Sequence, residues 1–246
     1  GVTKPTDGSP ALLTLDEVTT MFHEFGHALH GLLSDVRYPT FSGTNVPRDY
    51  VEFPSQINEN WALDPAVLRN YARHIDTGEP LPSELIDAIT ASRQFGQGFA
   101  TSEYLAAAII DMAWHSLSSE EAAGVSDVRA FEEAALQDAG LVVEHLKPRY
   151  QSTYFNHIFG GGYSAGYYSY LWAEVLDADG FDWFTETGAA GPGASGEAAR
   201  AAGQRFRDLV LSRGGASDYA AAFESLRGRA KDVAPLLRRR GLGGAL

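Results

Sequence analysis

Residues 14–34 read TLDEVTTMFHEFGHALHGLLS. This stretch opens with a capping box, in which the side chains of Thr14 and Glu17 can each accept the other residue's backbone amide. The apolar residues that follow recur at the three- and four-residue spacing of one helix face. The stretch therefore predicts an amphipathic helix from about Thr14 to Ser34.

Two histidines lie four residues apart within this helix, at His23 and His27. That spacing puts two side chains ~40° apart around a helix and ~6 Å apart along it, so both imidazoles can reach one metal ion. Glu24 directly follows the first histidine and can hold a water molecule on that ion, which makes it a candidate general base. Gly26 is small enough for another element to approach the helix closely.

The pattern HExxH also arises by chance in roughly one chain in a hundred of this length. Chance occurrences mostly fall in unsuitable places, whereas this one falls in a capped amphipathic helix. The chain has no cysteine, so histidines and carboxylates are its only strong metal ligands. We therefore interpret His23 and His27 as zinc ligands.

A catalytic zinc ion takes three protein ligands and keeps one position open. A second helix is predicted to begin at Asp49, which can cap it, and it carries Glu52 and Glu59 two turns apart on one face. We predict that Glu52 is the third ligand and that Glu59 hydrogen-bonds a ligand histidine from behind. The alternative is a solvated acidic face, which suits Glu59 better than Glu52.

A second group of polar aromatic residues follows the three glycines at residues 160–162. The spacing predicts a helix from Ser164 to Ala178, with Tyr163, Tyr167 and Tyr170 on one face. A phenol or imidazole that donates to the oxyanion of peptide hydrolysis is worth about 10²-fold in rate. The alternative is an aromatic stripe packed in the core.

Composition excludes several classes of partner. Nineteen Lys and Arg against 32 Asp and Glu give a net charge of -13, which would repel a nucleic-acid backbone or an anionic membrane. The absence of cysteine fits a reducing compartment. No apolar run approaches the ~20 residues that span a bilayer, and residues 1–13 show no signal-peptide pattern.

The rest of the chain predicts a mainly α architecture without internal repeats. Pro54 fits the first turn of the second helix, and 35–48 reads as a loop. Only 11–13 reads as extended, and 187–203 is either a loop or the entry to a helix. Besides the three helices already described, helices are predicted over 65–76, 82–117, 126–139, 141–157, 194–213 and 217–226.

The sequence resembles the thimet-oligopeptidase-like zinc peptidases of family M3, whose pattern is HEFGH followed by a Glu 25 residues after the second His. Glu52 stands at that spacing from His27. The stretches FSGTNVPRDYVEFPSQINENW at 41–61 and HIFGGGYSAGYYSYLW at 157–172 are most similar to the peptidyl-dipeptidase branch. The resemblance runs from about Thr3 to the C-terminus.

The resemblance implies a helical zincin-like catalytic domain, part of a two-lobed peptidase with a deep cleft. It implies that one Zn²⁺ per chain is held by His23, His27 and Glu52, with Glu24 as base. It also favours His157, Tyr163 and Tyr170 as oxyanion donors. Tyr167 either lines the pocket or supports its neighbours, and Gly161 either lets the backbone approach substrate or makes a simple turn.

The implied reaction is the release of C-terminal dipeptides from short unfolded peptides in the cytoplasm. One alternative is an endopeptidase similar to oligopeptidase A. Since the resemblance covers only the C-terminal part of the family chain, residues 1–246 are expected to be one catalytic domain whose N-terminal lobe is absent. The other alternative is therefore a zinc-binding half that is inactive without that lobe.

Several charged residues admit two interpretations. Arg48 can pair with a substrate carboxylate or with a local acid such as Asp49. His30 points partly away from the other helix histidines and is expected to pack in the core. The run of three arginines at 238–240 is interpreted as a solvated helix end. The other histidines are expected to be structural or exposed: His74, His115 and His145.

Overall fold

The computed structural model describes residues 4–6 and 8–243, and it is mainly helical. The ends of the predicted domain, at 1–3 and 244–246, lie outside the described residues together with residue 7. The described part contains no strand, only one isolated antiparallel bridge between Arg73 and Pro80. The α-helices are α1 Leu15–Leu32, α2 Arg48–Val51, α3 Phe53–Glu59, α4 Pro65–Tyr71, α5 Ser83–Ser92, α6 Gln97–His115, α7 Ser119–Gly124, α8 Val128–Asp138, α9 Asn156–Phe159, α10 Ser169–Glu186, α11 Gly196–Phe206, α12 Tyr219–Arg227 and α13 Ala234–Arg239.

The capping box at the start of α1 is confirmed. The Thr14 hydroxyl accepts the Glu17 amide at 3.2 Å, and the Glu17 carboxylate accepts the Thr14 amide at 2.8 Å. Both exchanges satisfy amides that the first turn of a helix would otherwise leave unpaired. The helix ends at Leu32, two residues before the predicted end.

Helix α1 crosses α3 at a point where no side chain fits. A Cβ atom on Gly26 would lie 2.6 Å from the Ser55 Cα and 2.7 Å from the Pro54 carbonyl oxygen. Asn58 secures the crossing, because its side-chain amide donates to the Phe22 carbonyl oxygen at 2.6 Å. The prediction that Gly26 admits a neighbouring element is therefore confirmed.

The described part of the chain has two apolar clusters. The larger is centred on Phe53, whose ring lies 5.9 Å from that of Phe206 and 5.8 Å from that of Phe223. It joins α3 to α10, α11 and α12. The smaller cluster packs α6 against residues 155–167, and its members include the buried Phe155, Ile158 and Tyr167.

The predicted second helix is interrupted. Helix α2 ends at Val51 and α3 begins at Phe53, with Pro54 in its first turn as predicted. Asp49 does not cap α2, because it lies inside the first turn and Pro47 occupies the cap position. The helical path continues as a 3₁₀ turn over Asn60–Leu63.

Four of the longer helix predictions were wrong in their extent. The helix predicted over 82–117 breaks at Gly96, whose φ of +70° belongs to the left-handed region. Most of 141–157 is not helical, and only Asn156–Phe159 forms a short helix. Tyr163 and Tyr167 precede α10, which begins at Ser169 rather than Ser164. Segment 194–213 divides into α11 and a π-helical turn at Arg207–Leu211.

The basic run at 238–240 ends α13 as predicted, but it is only partly solvated, because Arg239 is 31% exposed and Arg240 is 14% exposed. Each arginine contacts an acid on α10: Arg238 reaches Asp182 at 2.6 Å and Arg239 reaches Asp177 at 2.6 Å. Arg240 pairs with Glu174. These ion pairs fasten α13 to α10, and they leave the run little free charge. Across the described residues, no helix is long and apolar enough to cross a membrane.

Candidate active site

Three donor atoms converge where α1 passes the junction of α2 and α3. The Nε2 atoms of His23 and His27 each lie 3.3 Å from Oε2 of Glu52. Donors that share one tetrahedral zinc ion at ordinary bond lengths lie about 3.4 Å apart. Two imidazoles and a carboxylate are also a donor set that zinc prefers. The residues therefore fit a zinc ion, which they would hold with these three atoms.

Glu59 lies behind one of these histidines. Its Oε1 is 2.7 Å from Nδ1 of His23, so the imidazole is held with Nε2 toward Glu52. Burial lowers the pKa of His23, but the hydrogen bonds to Glu52 and Glu59 outweigh it and raise the pKa to about 9. Burial raises the pKa of Glu52, whereas hydrogen bonds from both histidines and from Tyr163 lower it well below its usual range.

Glu24 follows His23 on α1 and is exposed. Within the described part of the chain, no hydrogen bond or ion pair holds its carboxylate. Its carboxylate is not one of the three donor groups that come together. A carboxylate in this position is available to exchange protons with a water molecule or a substrate.

The aromatic residues of 157–170 meet the three candidate metal ligands through Tyr163. Its hydroxyl donates to Oε1 of Glu52 at 2.6 Å, and its ring stacks on that of Tyr170 at 5.1 Å between centroids. The His157 ring lies 6.4 Å from that of Tyr170. His157 Nδ1 is buried without a partner among the described residues. The structure thus brings the three predicted donors together, although two different elements and a turn carry them.

Tyr167 is 3% exposed and belongs to the smaller apolar cluster. Its ring lies 5.5 Å from those of His157 and Tyr170, and the Phe155 ring meets it edge-on at 4.8 Å. This packing favours the supporting role that the sequence left open. One edge of the residue still lines a cavity beside the cluster.

The glycines before Tyr163 form a tight turn. A Cβ on Gly161 would lie 2.9 Å from the Cα of His157, and Gly162 has a φ of +80°. Arg48 donates from Nε to the Gly162 carbonyl oxygen at 3.2 Å, and its guanidinium lies 4.8 Å from the centre of the Tyr163 ring. No ion pair between Arg48 and Asp49 occurs in the described structure.

Sequence reasoning missed the residue that holds this turn. Asp111 on α6 is fully buried, and its two oxygens accept the amides of Ala165 at 2.9 Å and Tyr167 at 2.8 Å. Ala165 has a φ of +53°, an unfavourable value for a residue with a side chain. The available signal was an aspartate within the apolar stretch of α6, four residues before His115, whose Nδ1 lies 2.8 Å from the carboxylate.

The other histidines fall outside the site. His30 is fully buried, which confirms that it packs in the core. Neither of its ring nitrogens has a partner within the described structure. His115 is structural through Asp111, while His145 is 89% exposed. His74 accepts the amides of Asp76 and Thr77 in an exposed loop.

A helical fold in which an HExxH helix meets the carboxylate of Glu52 and adjacent tyrosines defines a zincin-like peptidase architecture. The model of peptidase family M3 matches residues 1–242, and the chain belongs to that family.

The chain is similar to several curated relatives that have peptidase names. The chain is 49% identical over 239 residues to a dipeptidyl carboxypeptidase of Salmonella typhimurium and 38% identical over 243 residues to oligopeptidase A of Escherichia coli. It is 34% identical over 246 residues to a thimet-like oligopeptidase of Dictyostelium discoideum. These alignments cover 97–98% of this chain but 34% of each relative, so the chain spans about a third of their length.

Proposed function

We propose that the chain carries the zinc-dependent catalytic site of a peptidase that releases dipeptides from the C-terminus of short unfolded peptides. The observation that carries the proposal is the convergence of His23, His27 and Glu52, with the Tyr163 hydroxyl bonded to Glu52. The dipeptidyl carboxypeptidase name of the 49%-identical relative supports the choice of product.

Zinc held by these three residues would polarise the scissile carbonyl and lower the pKa of the attacking water. Glu24 takes a proton from that water as the new carbon–oxygen bond forms. It passes the proton to the leaving amine as the carbon–nitrogen bond breaks. Glu59 holds the His23 imidazole in one orientation, with Nδ1 toward the Glu59 carboxylate.

His157, Tyr163 and Tyr170 donate hydrogen bonds to the oxygen of the scissile carbonyl as negative charge develops on it. Burial raises the pKa of Tyr163 and that of Tyr170 above their usual value, so both phenols keep their protons near neutral pH. Tyr163 is bonded to Glu52 in this structure and must turn toward substrate to contribute. Tyr167 and Gly161 shape the pocket wall, and Arg48 is a candidate to contact substrate.

The 38% identity to oligopeptidase A supports a second candidate, an endopeptidase. An endopeptidase does not need to recognise a free C-terminus, whereas a dipeptide-releasing enzyme does. A third candidate is a zinc-binding half that turns over substrate only together with further sequence. It is supported by the length of the chain, which spans about a third of its relatives. With a net charge of -13, the site is proposed to act on peptides rather than nucleic acid, in the cytoplasm.

Hydrolysis of paired short peptides tests the proposal. The zinc-loaded chain and its Glu24→Gln variant are given peptides that differ only in a free or amidated C-terminus, and the products are identified by mass spectrometry. We expect dipeptide release from the free peptide alone, and a loss of about 10²–10⁴-fold in the variant. Internal cleavage of both peptides would favour the endopeptidase. If the zinc-loaded chain turned over neither peptide, the third candidate, a zinc-binding half that needs further sequence, would be favoured.

A further inference from the structure

The carboxylate that holds His23 stands at the end of a short helix. Glu59 is the last residue of α3, which has seven residues, and a helix of that length is not stable by itself. The Glu59 side chain is 28% exposed, and among the described residues its carboxylate is hydrogen-bonded only to Nδ1 of His23. The position of this carboxylate therefore depends on what fixes the end of α3.

Asn60 joins the end of α3 to a neighbouring helix. Its side-chain amide donates to the carbonyl oxygens of Ile57 at 3.1 Å and Gln56 at 3.3 Å, both in the last turns of α3. The same amide donates to Oδ1 of Asp177 on α10 at 2.5 Å. One side chain thus closes the end of α3 and fastens it to α10.

Asp177 is buried and is itself held by an arginine. It is 3% exposed, and Arg239 of α13 donates to its Oδ2 at 2.6 Å and to its Oδ1 at 3.4 Å. A buried carboxylate is tolerated only when its oxygens are paired in this way. A continuous series of contacts therefore runs from Arg239 through Asp177 to Asn60, which directly follows Glu59.

We propose that Asp177 is a positioning residue for the metal site and acts through Asn60. By fixing the end of α3, the two residues set the place from which Glu59 orients the His23 imidazole. This role of Asp177 rests on the proposed function, because it needs a zinc ion at His23. A partner that orients a ligand histidine is worth about 10- to 100-fold in metal affinity, so we expect about 3- to 10-fold from a residue that acts through such a partner.

Asp179 provides a matched control on the same helix. It is fully buried, and it pairs with Arg227 at 2.7 Å and Arg229 at 2.6 Å. Both aspartates are thus buried on α10 and bonded to arginines from the last part of the chain. Among the described contacts of the two carboxylates, only those of Asp177 include a hydrogen bond to Asn60. Loss of either should destabilise the fold, but only loss of Asp177 should weaken the metal site.

Zinc affinity, measured by competition with a chromophoric chelator, tests the proposal. We expect Asp177→Asn to weaken zinc binding about 3- to 10-fold and Asp179→Asn to leave it unchanged, although urea unfolding should show that both are destabilised. Asn60→Ala removes the link and leaves the Asp177–Arg239 pair intact, so it should weaken zinc binding as much as Asp177→Asn does. If Asp177→Asn does not fold, Asn60→Ala provides the same test.

A double-variant cycle shows whether Asp177 acts through Glu59. Glu59→Ala alone should weaken zinc binding about 10- to 100-fold, and the addition of Asp177→Asn should weaken it no further. Additive losses would overturn the proposal. Equal losses in Asp177→Asn and Asp179→Asn would overturn it as well, because they would reflect stability alone.

Proton NMR of the metal-free chain separates this positioning role from zinc binding. The Nδ1–H proton of His23, which is bonded to Glu59 at 2.7 Å, should give a downfield signal that is absent in Glu59→Ala. We expect Asp177→Asn to broaden the signal and Asp179→Asn to leave it unchanged. This pattern in a chain that binds no zinc would contradict the proposed function but support the positioning of Glu59 by Asp177. Zinc binding of equal strength in the wild type, Asp177→Asn and Asn60→Ala would overturn the positioning role alone.

Discussion

The two regions that meet at the candidate site are built differently. The metal-ligand region rests on regular helices, α1 and α3, whose backbones touch at Gly26. The donor region, residues 157–170, is a turn with a strained residue at Ala165, held by the carboxylate of Asp111. The first region is fixed by close backbone packing and the second by buried hydrogen bonds. Substitutions should therefore damage them in different ways.

Removal of one proposed donor should have the largest effect. Tyr170→Phe keeps the ring that stacks on Tyr163 but loses the hydroxyl, so we expect kcat to fall about 10²-fold with zinc content unchanged. Steady-state kinetics of the zinc-loaded chain measure this. The neighbouring Tyr168→Phe is the control, because the Tyr168 hydroxyl points to Asp49 at 3.3 Å and should leave kcat unaltered. Equal kcat in the two variants would contradict the role of Tyr170.

A methyl group at the helix crossing should separate the metal-ligand helices. Gly26→Ala places a Cβ against backbone atoms of α3 that cannot move independently, and we expect a loss of about 1–3 kcal/mol in the free energy of unfolding. Zinc affinity should fall as well, because the crossing sets the distance from Glu52 to the histidines. Urea unfolding and zinc titration measure the two effects.

Gly31→Ala provides the matched control on the same helix. A Cβ there meets no atom within 4 Å, so alanine should stabilise α1 by about 0.5–1 kcal/mol. If Gly26→Ala were equally harmless, the close approach would not determine the geometry of the metal-ligand region.

Loss of the Asp111 carboxylate, which is buried beneath the turn, should lower kcat by more than a loss of stability explains. Asp111→Asn replaces one acceptor oxygen with an NH₂ group that opposes a backbone amide, so the donors should lose their alignment. We expect kcat to fall about tenfold with KM and zinc content unchanged. Asp64→Asn is matched, because Asp64 is also buried and accepts the Ala66 amide at 2.9 Å and the Gly191 amide at 2.8 Å. The same kcat loss in both variants would reduce Asp111 to a structural residue.

The smallest expected effect concerns pH and the metal-ligand helix. Burial, reinforced by His27, lowers the pKa of His30 to about 4. Between that value and its ordinary pKa of 6.5, the unfolded chain binds more protons than the folded chain, so stability falls as pH falls. In metal-free protein, His30 should lower the free energy of unfolding by about 1 kcal/mol as the pH falls from 6.5 to 5.5.

His30→Leu should flatten the stability profile by that amount, as measured by chemical unfolding at a series of pH values. His145→Gln is the control, since that side chain is 89% exposed. An unchanged profile in His30→Leu would show that His30 is not held neutral in the core.

The metal-ligand region could be predicted because its signals are local. The Thr14 capping box, the histidine spacing and the small Gly26 each follow from helix geometry, and the structure has all three features. Glu52 could be predicted as the third ligand from its position on the next helix. The interruption at Glu52 was missed, although Pro54 is a local signal for it: proline has no amide hydrogen and is tolerated in the first turn of a helix, where it lies in α3.

The donor region resisted prediction because its conformation depends on distant residues. The positive φ of Ala165 is maintained by Asp111, 54 residues earlier in the chain, and no local pattern indicates such a bond. Tyr150 stacks on Phe155 at 5.0 Å between ring centroids, packing that replaces the helix predicted over 141–157. The residue types were identifiable there, but their conformation was not.

The position of the metal ion decides whether His23, His27 and Glu52 form the zinc site. A crystal of the zinc-loaded chain, measured with X-rays at the zinc absorption edge, gives the location of the ion from anomalous scattering. We expect one peak per chain, about 2.0–2.2 Å from Nε2 of His23, Nε2 of His27 and a Glu52 oxygen, with Glu24 outside the ligand sphere. A zinc peak elsewhere, or coordination by Glu24 in place of Glu52, would contradict the proposed zinc site.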